Sequence, residues 1–147
     1  MLSASTSMER SGPPPQDNFS IFQERYAVPH SDVALKIEQE VFGHSSGVDG
    51  FTTLEEADAL AAVLDVGSRS TVLDLGAGRG WLAGYIAEAS GCHVVSSDIP
   101  TDALVECKRR FSARDMTGRA TTVAADARAL PFRRQGIDAA IHSDVFC

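Results

Sequence analysis

Between Gly76 and Gly80 the chain carries three glycines in five positions, in the run VLDLGAGRG at 72–80. Glycines there let the backbone approach a ligand with no Cβ in the way, and they permit positive φ. Asp74 stands two residues before the first glycine. Its carboxylate would repel a pyrophosphate but suits a ligand that carries an ammonium group. Asp98 and Asp126 close two later apolar runs. A carboxylate at the end of a second strand can accept hydrogen bonds from both hydroxyls of a ribose. One at the end of a third strand can accept from the exocyclic amine of adenine. Each acid alone is equally readable as a solvated strand end or turn cap, and the glycines alone as a plain turn. Three acids around one glycine loop point instead to a nucleoside ligand with a positive charge and no phosphate.

These residues need a frame to hold them. TVLDL (71–75), HVVSSD (93–98), TTVAAD (121–126) and IDAAIHS (137–143) read as strands. WLAGYIAEAS (81–90) reads as a helix with Leu82, Tyr85, Ile86 and Ala89 on one face, stopped by Gly91. TDALVECKRRF (101–111) reads as a helix capped by Thr101, with Leu104, Val105 and Lys108 on a face. Alternating strands and helices predict a parallel sheet, and right-handed crossovers predict the order 3-2-1-4. The glycine loop then falls where the strand order reverses, the place such sheets bind ligands. Upstream, Ser31 or Asp32 caps a helix to about Phe42, with Val33, Ile37 and Val41 as its apolar stripe. Thr53 and Glu56 have capping-box spacing for a further helix, with Ala57, Leu60, Ala61 and Leu64 toward the core. The domain reading is a disordered polar tail at 1–18, a helical cap at 19–66 and an α/β ligand-binding core at 67–147.

The spacing also discriminates between ligands. Dinucleotide binding favours G-x-G-x-x-G, but Trp81 stands where the third glycine would be. A nicotinamide-dependent oxidoreductase is therefore disfavoured.

VLDLGAGRG resembles motif I of the class I S-adenosylmethionine-dependent methyltransferases, and VVSSDI resembles their second-strand acid motif. DARALPF (126–132) and IDAAIHSDVFC (137–147) are similar to the third- and fourth-strand motifs of the small-molecule branch that includes ubiquinone and menaquinone methyltransferases. GFTTLEEADAL (50–60) resembles the helix that precedes the core in related enzymes. The resemblance implies a Rossmann-like three-layer sandwich, S-adenosyl-L-methionine as cofactor and a small-molecule methyl acceptor. Asp74 with Gly76, Ala77, Gly78 and Gly80 would hold the amino-acid end of the cofactor, and Asp98 the ribose. Ile99 would pack on the adenine, and Asp126 with the backbone of Ala127 would read its edge. The resemblance also implies strands beyond the fourth, so the chain is read as truncated after it.

The remaining signals are weaker. His142, Ser143, Asp144 and Cys147 follow the fourth strand, where the family places acceptor-facing residues. His142 is a candidate general base, weighed against a histidine that merely caps the strand. Phe22, Tyr26, Phe51 and Thr52 are placed by topology over the cofactor. Trp81 reads as helix–sheet packing. Net charge is −7, which argues against a nucleic-acid partner. No run is apolar enough to cross a membrane. Cys92, Cys107 and Cys147 lack metal or redox spacing and read as reduced cytoplasmic thiols. An open fourth-strand edge predicts self-association into a homodimer. The competing function is a non-catalytic nucleoside-binding or interaction half-domain.

Overall fold

The computed structural model describes residues 18–47, 50–133 and 135–145. The polar tail up to residue 17 and Cys147 lie outside the described residues. Three helices come first: α1 (Asn18–Ala27), α2 (Asp32–Phe42) and α3 (Leu54–Leu64). Then follow β1 (Thr71–Leu75), α4 (Trp81–Ser90), β2 (His93–Asp98), α5 (Thr101–Ala113), β3 (Ala120–Ala124) and β4 (Ala139–His142). All strand pairs are parallel and the order is β3-β2-β1-β4. This is the Rossmann-like α/β arrangement expected from the alternation of elements.

Local chemistry sets the ends of the elements. Ser31 accepts the Ala34 N–H at 3.2 Å and caps α2. Gly43 ends that helix at φ +79°. Thr53 and Glu56 form the full capping box of α3, each side chain accepting the other residue's backbone N–H. Asp138 pins β4 to β1: its carboxylate accepts the Thr71 N–H at 2.7 Å, and its own N–H donates to the Thr71 carbonyl at 2.9 Å. The core lies where α3, α4 and α5 meet the sheet. It holds Ala57, Val72, Trp81, Leu82, Ile86, Ala87, Val94, Cys107, Phe111, Met116 and Ile141.

Several expectations need correction. α1 was not assigned as an element of its own, although Phe19, Phe22 and Tyr26 recur at helical spacing. α5 is not capped by Thr101: Pro100 occupies the cap and no side chain bonds there. Its inner face is Ala103, Leu104, Cys107 and Phe111, whereas Val105 is exposed. Ala89 of α4 is exposed as well, and the buried face runs through Leu82, Ala83, Ile86 and Ala87. The apolar stripe of α2 turns outward, with Val33, Ile37 and Val41 all more than half exposed. β3 ends at Ala124, so Asp126 lies two residues past the strand rather than at its end.

Candidate functional site

The connection from β1 to α4 is the glycine loop, and it lies at the switch point because β2 and β4 flank β1 on opposite sides. Gly76, Gly78 and Gly80 have φ of +66°, +51° and +74°, which ordinary side chains adopt only at a cost. The loop is tied to the end of β2. Gly76 and Ala77 donate their N–H groups to the Ser97 carbonyl at 2.8 and 3.1 Å. Gly78 donates its N–H to the Asp98 carboxylate at 2.8 Å.

Asp74 lies beneath this loop and is only 3% exposed. Its carboxylate accepts the N–H of Ala83 in the first turn of α4. It thereby serves a helix whose own cap residue, Gly80, has no side chain to offer. Burial, reinforced by the charge of Asp98, pushes the Asp74 carboxyl from 3.8 up to about 7, against the pull of the Ala83 N–H. Among the described residues no Lys or Arg pairs with it. A buried acid in want of a cation is the electrostatic complement of an ammonium group.

Asp98 is half-buried, and its oxygens accept the N–H groups of Gly78 and Ile99 at 2.8 and 2.7 Å. Burial raises its pKa, while those two N–H groups oppose the rise. Each carboxylate oxygen keeps acceptor capacity beyond one bond. Ile99 is 45% exposed and offers an apolar surface beside it. Asp126 is engaged by Arg128, which donates from its backbone at 2.9 Å and from its guanidinium at 2.5–3.0 Å. That pairing holds the Asp126 carboxyl down at about 2. Ala127 is exposed next to it. A ligand reading Asp126 therefore competes with a neighbouring arginine.

The glycine loop is covered. A cavity of about 90 Å³ is lined by Asp74, Gly76, Ala77, Gly78, Trp81 and Leu82 below, and by Phe22, Tyr26 and Thr52 above. Pockets for whole small molecules run to roughly 300–1,000 Å³, so this space suits one polar end of a ligand. Asp98, Ile99, Asp126 and Ala127 lie outside the cavity lining. Of the four residues placed by topology, Phe51 does not line this space and is 69% exposed. It lines an adjoining open cavity of about 380 Å³ with Thr52, Glu56, Leu60, Leu82, His142, Ser143 and Asp144. Asp144 ties the two layers together by accepting the Phe51 N–H at 2.8 Å.

Three residues that shape the site were not foreseen. His44 stacks on Trp81 with ring centroids 3.9 Å apart, and its Nε2 lies 3.0 Å from the Thr52 carbonyl. Buried Glu38 accepts the Gly47 N–H at 2.6 Å and stands 3.7 Å from His44 Nδ1. Arg79, only 5% exposed, reaches out of the glycine loop to the backbone of the N-terminal segment. Its signal was present in the sequence as the one long side chain inside a loop of Gly and Ala. Trp81, read as packing, both joins the core cluster and lines the covered cavity.

Comparison with known proteins gives this geometry a context. Against curated proteins the sequence has no match. Geranyl diphosphate C-methyltransferase from Streptomyces coelicolor A3(2), solved with Mg2+, geranyl diphosphate and S-adenosyl-L-homocysteine, is similar in fold at 16% identity and a TM-score of 0.64. The superposition covers 88% of this chain and 54% of that one. An S-adenosylmethionine-dependent methyltransferase from Thiobacillus denitrificans, in complex with S-adenosyl-L-homocysteine, aligns at 22% identity and a TM-score of 0.57, over 78% of this chain and 44% of that one. The [4+2]-cyclase SpnF aligns at 23% identity and a TM-score of 0.51, over 58% and 33%. These likenesses establish the fold, and a cyclase among them shows that the fold alone does not fix the reaction. The chain spans between a third and roughly half of the length of these solved structures. The family model described as "Methyltransferase domain" matches residues 72–147, which contain the glycine loop, Asp74, Asp98, Asp126 and the end of β4. That match takes in more than half of the sequence, and the chain belongs to the methyltransferase domain family.

Proposed function

We propose that this chain is the donor-binding part of an S-adenosylmethionine-dependent methyltransferase that acts on a small-molecule acceptor. The observation that carries the proposal is Asp74, a buried carboxylate with no Lys or Arg paired to it among the described residues, under a cradle of three positive-φ glycines. The cradle fits the donor's amino-acid end, since a Cβ on Gly78 would stand 2.8 Å from the Tyr26 hydroxyl and fill the covered space. Asp74 takes the ammonium, and the free acceptor capacity of Asp98 takes the ribose hydroxyls. Ile99 supports the adenine, with Asp126 and the backbone of Ala127 at its edge. When bound, S-adenosylmethionine supplies an electrophilic methyl group on sulfur.

The adjoining cavity is the proposed seat of the acceptor, because it shares Thr52, Leu82, Ser143 and Asp144 with the donor cavity. Phe51, Leu60 and Leu82 give it apolar walls. Its ionisable residues are Glu56, His142 and Asp144, with no Lys or Arg among the described lining. Glu56 stays ionised, because its bonds from the Thr53 backbone and hydroxyl lower its pKa. Such walls favour a neutral or cationic acceptor, a phenol or amine on an apolar body, over a phosphate. The quinone-precursor type of acceptor falls in this class. His142 is the proposed candidate to take a proton from a phenol. The catalytic contribution of the chain is then alignment, which holds the nucleophile ~3–3.5 Å from the methyl group. The proposal further includes reduced cytoplasmic surroundings and a second copy as partner along the outer edge of β4. It does not include nucleic acid.

Calorimetric titration with S-adenosyl-L-homocysteine and with NAD tests the donor assignment. The first is expected to bind measurably tighter; tighter binding of NAD would overturn the reading. A second titration locates the ribose. Asp98→Ala is expected to weaken S-adenosyl-L-homocysteine by at least tenfold, since a hydrogen bond to a charged group contributes about 1.5–3 kcal/mol. Asp144→Ala removes the Phe51 tether at the rim of the donor cavity, away from the proposed ribose site, and is expected to weaken it less. Equal losses would show that the ribose lies elsewhere.

A further inference from the structure

Arg79 sits between Gly78 and Gly80, yet its guanidinium does not stay in the glycine loop. Nη2 donates to the carbonyls of Tyr26 and Val28 at 3.2 and 2.9 Å, and Nη1 donates to the Gly47 carbonyl at 2.9 Å. Tyr26 belongs to the last turn of α1, whose carbonyls have no intrahelical donors. Arg79 therefore caps α1 from 53 residues away, with a cation at the negative end of the helix. The guanidinium also lies 5.6 Å from the centroid of the Tyr26 ring. Among the described residues it has no carboxylate within ion-pair distance, and its Nε is buried without a partner. A buried arginine spent on three backbone carbonyls is a tether, not half of a salt bridge.

The tether joins the glycine loop to a short helix that also packs against α5. α1 has 10 residues, and Ile21 and Phe22 remain more than 40% exposed. A helix that short is marginal in water without tertiary support. Phe22 and Tyr26 nevertheless form the upper wall of the donor cavity, and the Tyr26 hydroxyl covers Gly78. We propose that Arg79 is a positioning residue, a latch that holds α1 closed over the glycine loop and so governs how long the donor stays bound. The latch rests on the donor reading above for its effect on binding. Its hold on α1 stands on the ligand-free geometry alone.

Hydrogen exchange of the ligand-free chain, followed by S-adenosyl-L-homocysteine dissociation kinetics, tests it with Arg79→Met and Arg79→Lys. Met keeps an unbranched stem of about the length of the arginine's up to Nε and removes every donor. Lys keeps the charge but cannot span three carbonyls. In Arg79→Met the amides of 20–28 are expected to exchange at least tenfold faster, with β1 and β2 within twofold of wild type. S-adenosyl-L-homocysteine is expected to dissociate at least tenfold faster with little change in association, a split that general destabilisation would not produce. Arg79→Lys is expected to fall between, and it decides alone if the Met variant does not fold. Wild-type exchange at 20–28 in either folded variant would overturn the latch, as would faster exchange with unchanged dissociation. A wild-type chain that fails to bind S-adenosyl-L-homocysteine overturns the donor reading and its coupling to α1, and exchange then decides the hold on α1 separately.

Discussion

Asp74→Asn is expected to stabilise the ligand-free chain above pH 7 and to weaken donor binding in the same variant. The sign follows from the direction of the shift. The Asp74 carboxyl titrates at about 7 in the folded chain against an ordinary 3.8, so the folded state holds its proton more tightly than the unfolded state does. Below pH 4 both states are protonated and the group is neutral to folding. Between pH 4 and 7 the unfolded chain ionises first, and stability falls as pH rises. Above pH 7 the loss levels off on the order of 4 kcal/mol, at 1.36 kcal/mol per pKa unit. Asparagine has nothing to ionise and still offers an oxygen to the Ala83 N–H. Urea unfolding at pH 5 and pH 8 checks this: the gain from Asp74→Asn is expected at pH 8 and to shrink at pH 5. A ligand ammonium reverses the preference and draws the proton off Asp74. Binding below pH 7 is therefore expected to release a proton, visible in calorimetry as a heat that varies with the ionisation enthalpy of the buffer. A variant less stable than wild type at pH 8 would mean that the charged bond to Ala83 outweighs the desolvation.

The second large effect is on the other side of the same loop. Gly80→Ala is expected to cost about 2–5 kcal/mol of stability. Gly80 sits at φ +74°, a left-handed conformation that penalises a Cβ by ~1–2 kcal/mol. The new Cβ would also overlap Cys107 Sγ and lie 3.2 Å from both Cys107 Cβ and Phe111 Cζ. Overpacking of that kind adds ~1–3 kcal/mol. Cys107 and Phe111 are among the most buried residues of α5, so the helix must shift against the sheet to make room. Gly78→Ala is the comparison. Its Cβ would stand 2.8 Å from the Tyr26 hydroxyl and 3.5–3.6 Å from the ring, against the short helix α1 rather than the core, so it is expected to retain more stability and lose the covered cavity instead. Denaturant midpoints at unchanged slope would read the difference. Equal midpoints for the two variants would show that α5 yields as easily as Tyr26.

The contrast between these two glycines also marks what could be read from residues alone. The strand order, the capping box of Thr53 and Glu56, and the loop at the switch point follow from local chemistry and short-range pattern, so they were legible. The positions of Asp74 and Asp98 were legible too, because a strand carries its last residues to a known end of the sheet. The packing of Gly80 against Cys107 was not, since it depends on how α5 rolls over the sheet. The same roll turns Val105 outward and Phe111 inward, a choice left open by the helical period because either stripe of α5 is apolar enough. Asp126 read as an adenine acid from position alone. Its partner Arg128 stands two residues on, in a turn whose course sequence patterns do not specify. Arg79 was hidden for a related reason. Its partners are carbonyl oxygens, which every residue has, so no pairing of residue types could announce them.

Arg79 and Asp144 also divide the molecule along its history of change. The donor cradle lies within one strand–helix–strand unit, residues 71–98, which bonds largely to itself. The walls of the acceptor cavity come from two distant stretches, Phe51 to Leu60 and His142 to Asp144. Among the described residues, the stretch at 51–60 meets the sheet end through the bond from Phe51 to Asp144 and meets α4 through the bond from Tyr85 to Asp58, and α1 is joined to the cradle by the arginine. On the proposed reading, substitutions at Phe51, Glu56 or Leu60, which line only the adjoining cavity, are expected to change acceptor choice and leave the cradle as it is. The cradle is under the tighter constraint, because Gly80 answers to the core as well as to the ligand. On the proposed reading, variation among homologues is expected to concentrate in the N-terminal layer and to spare the loop.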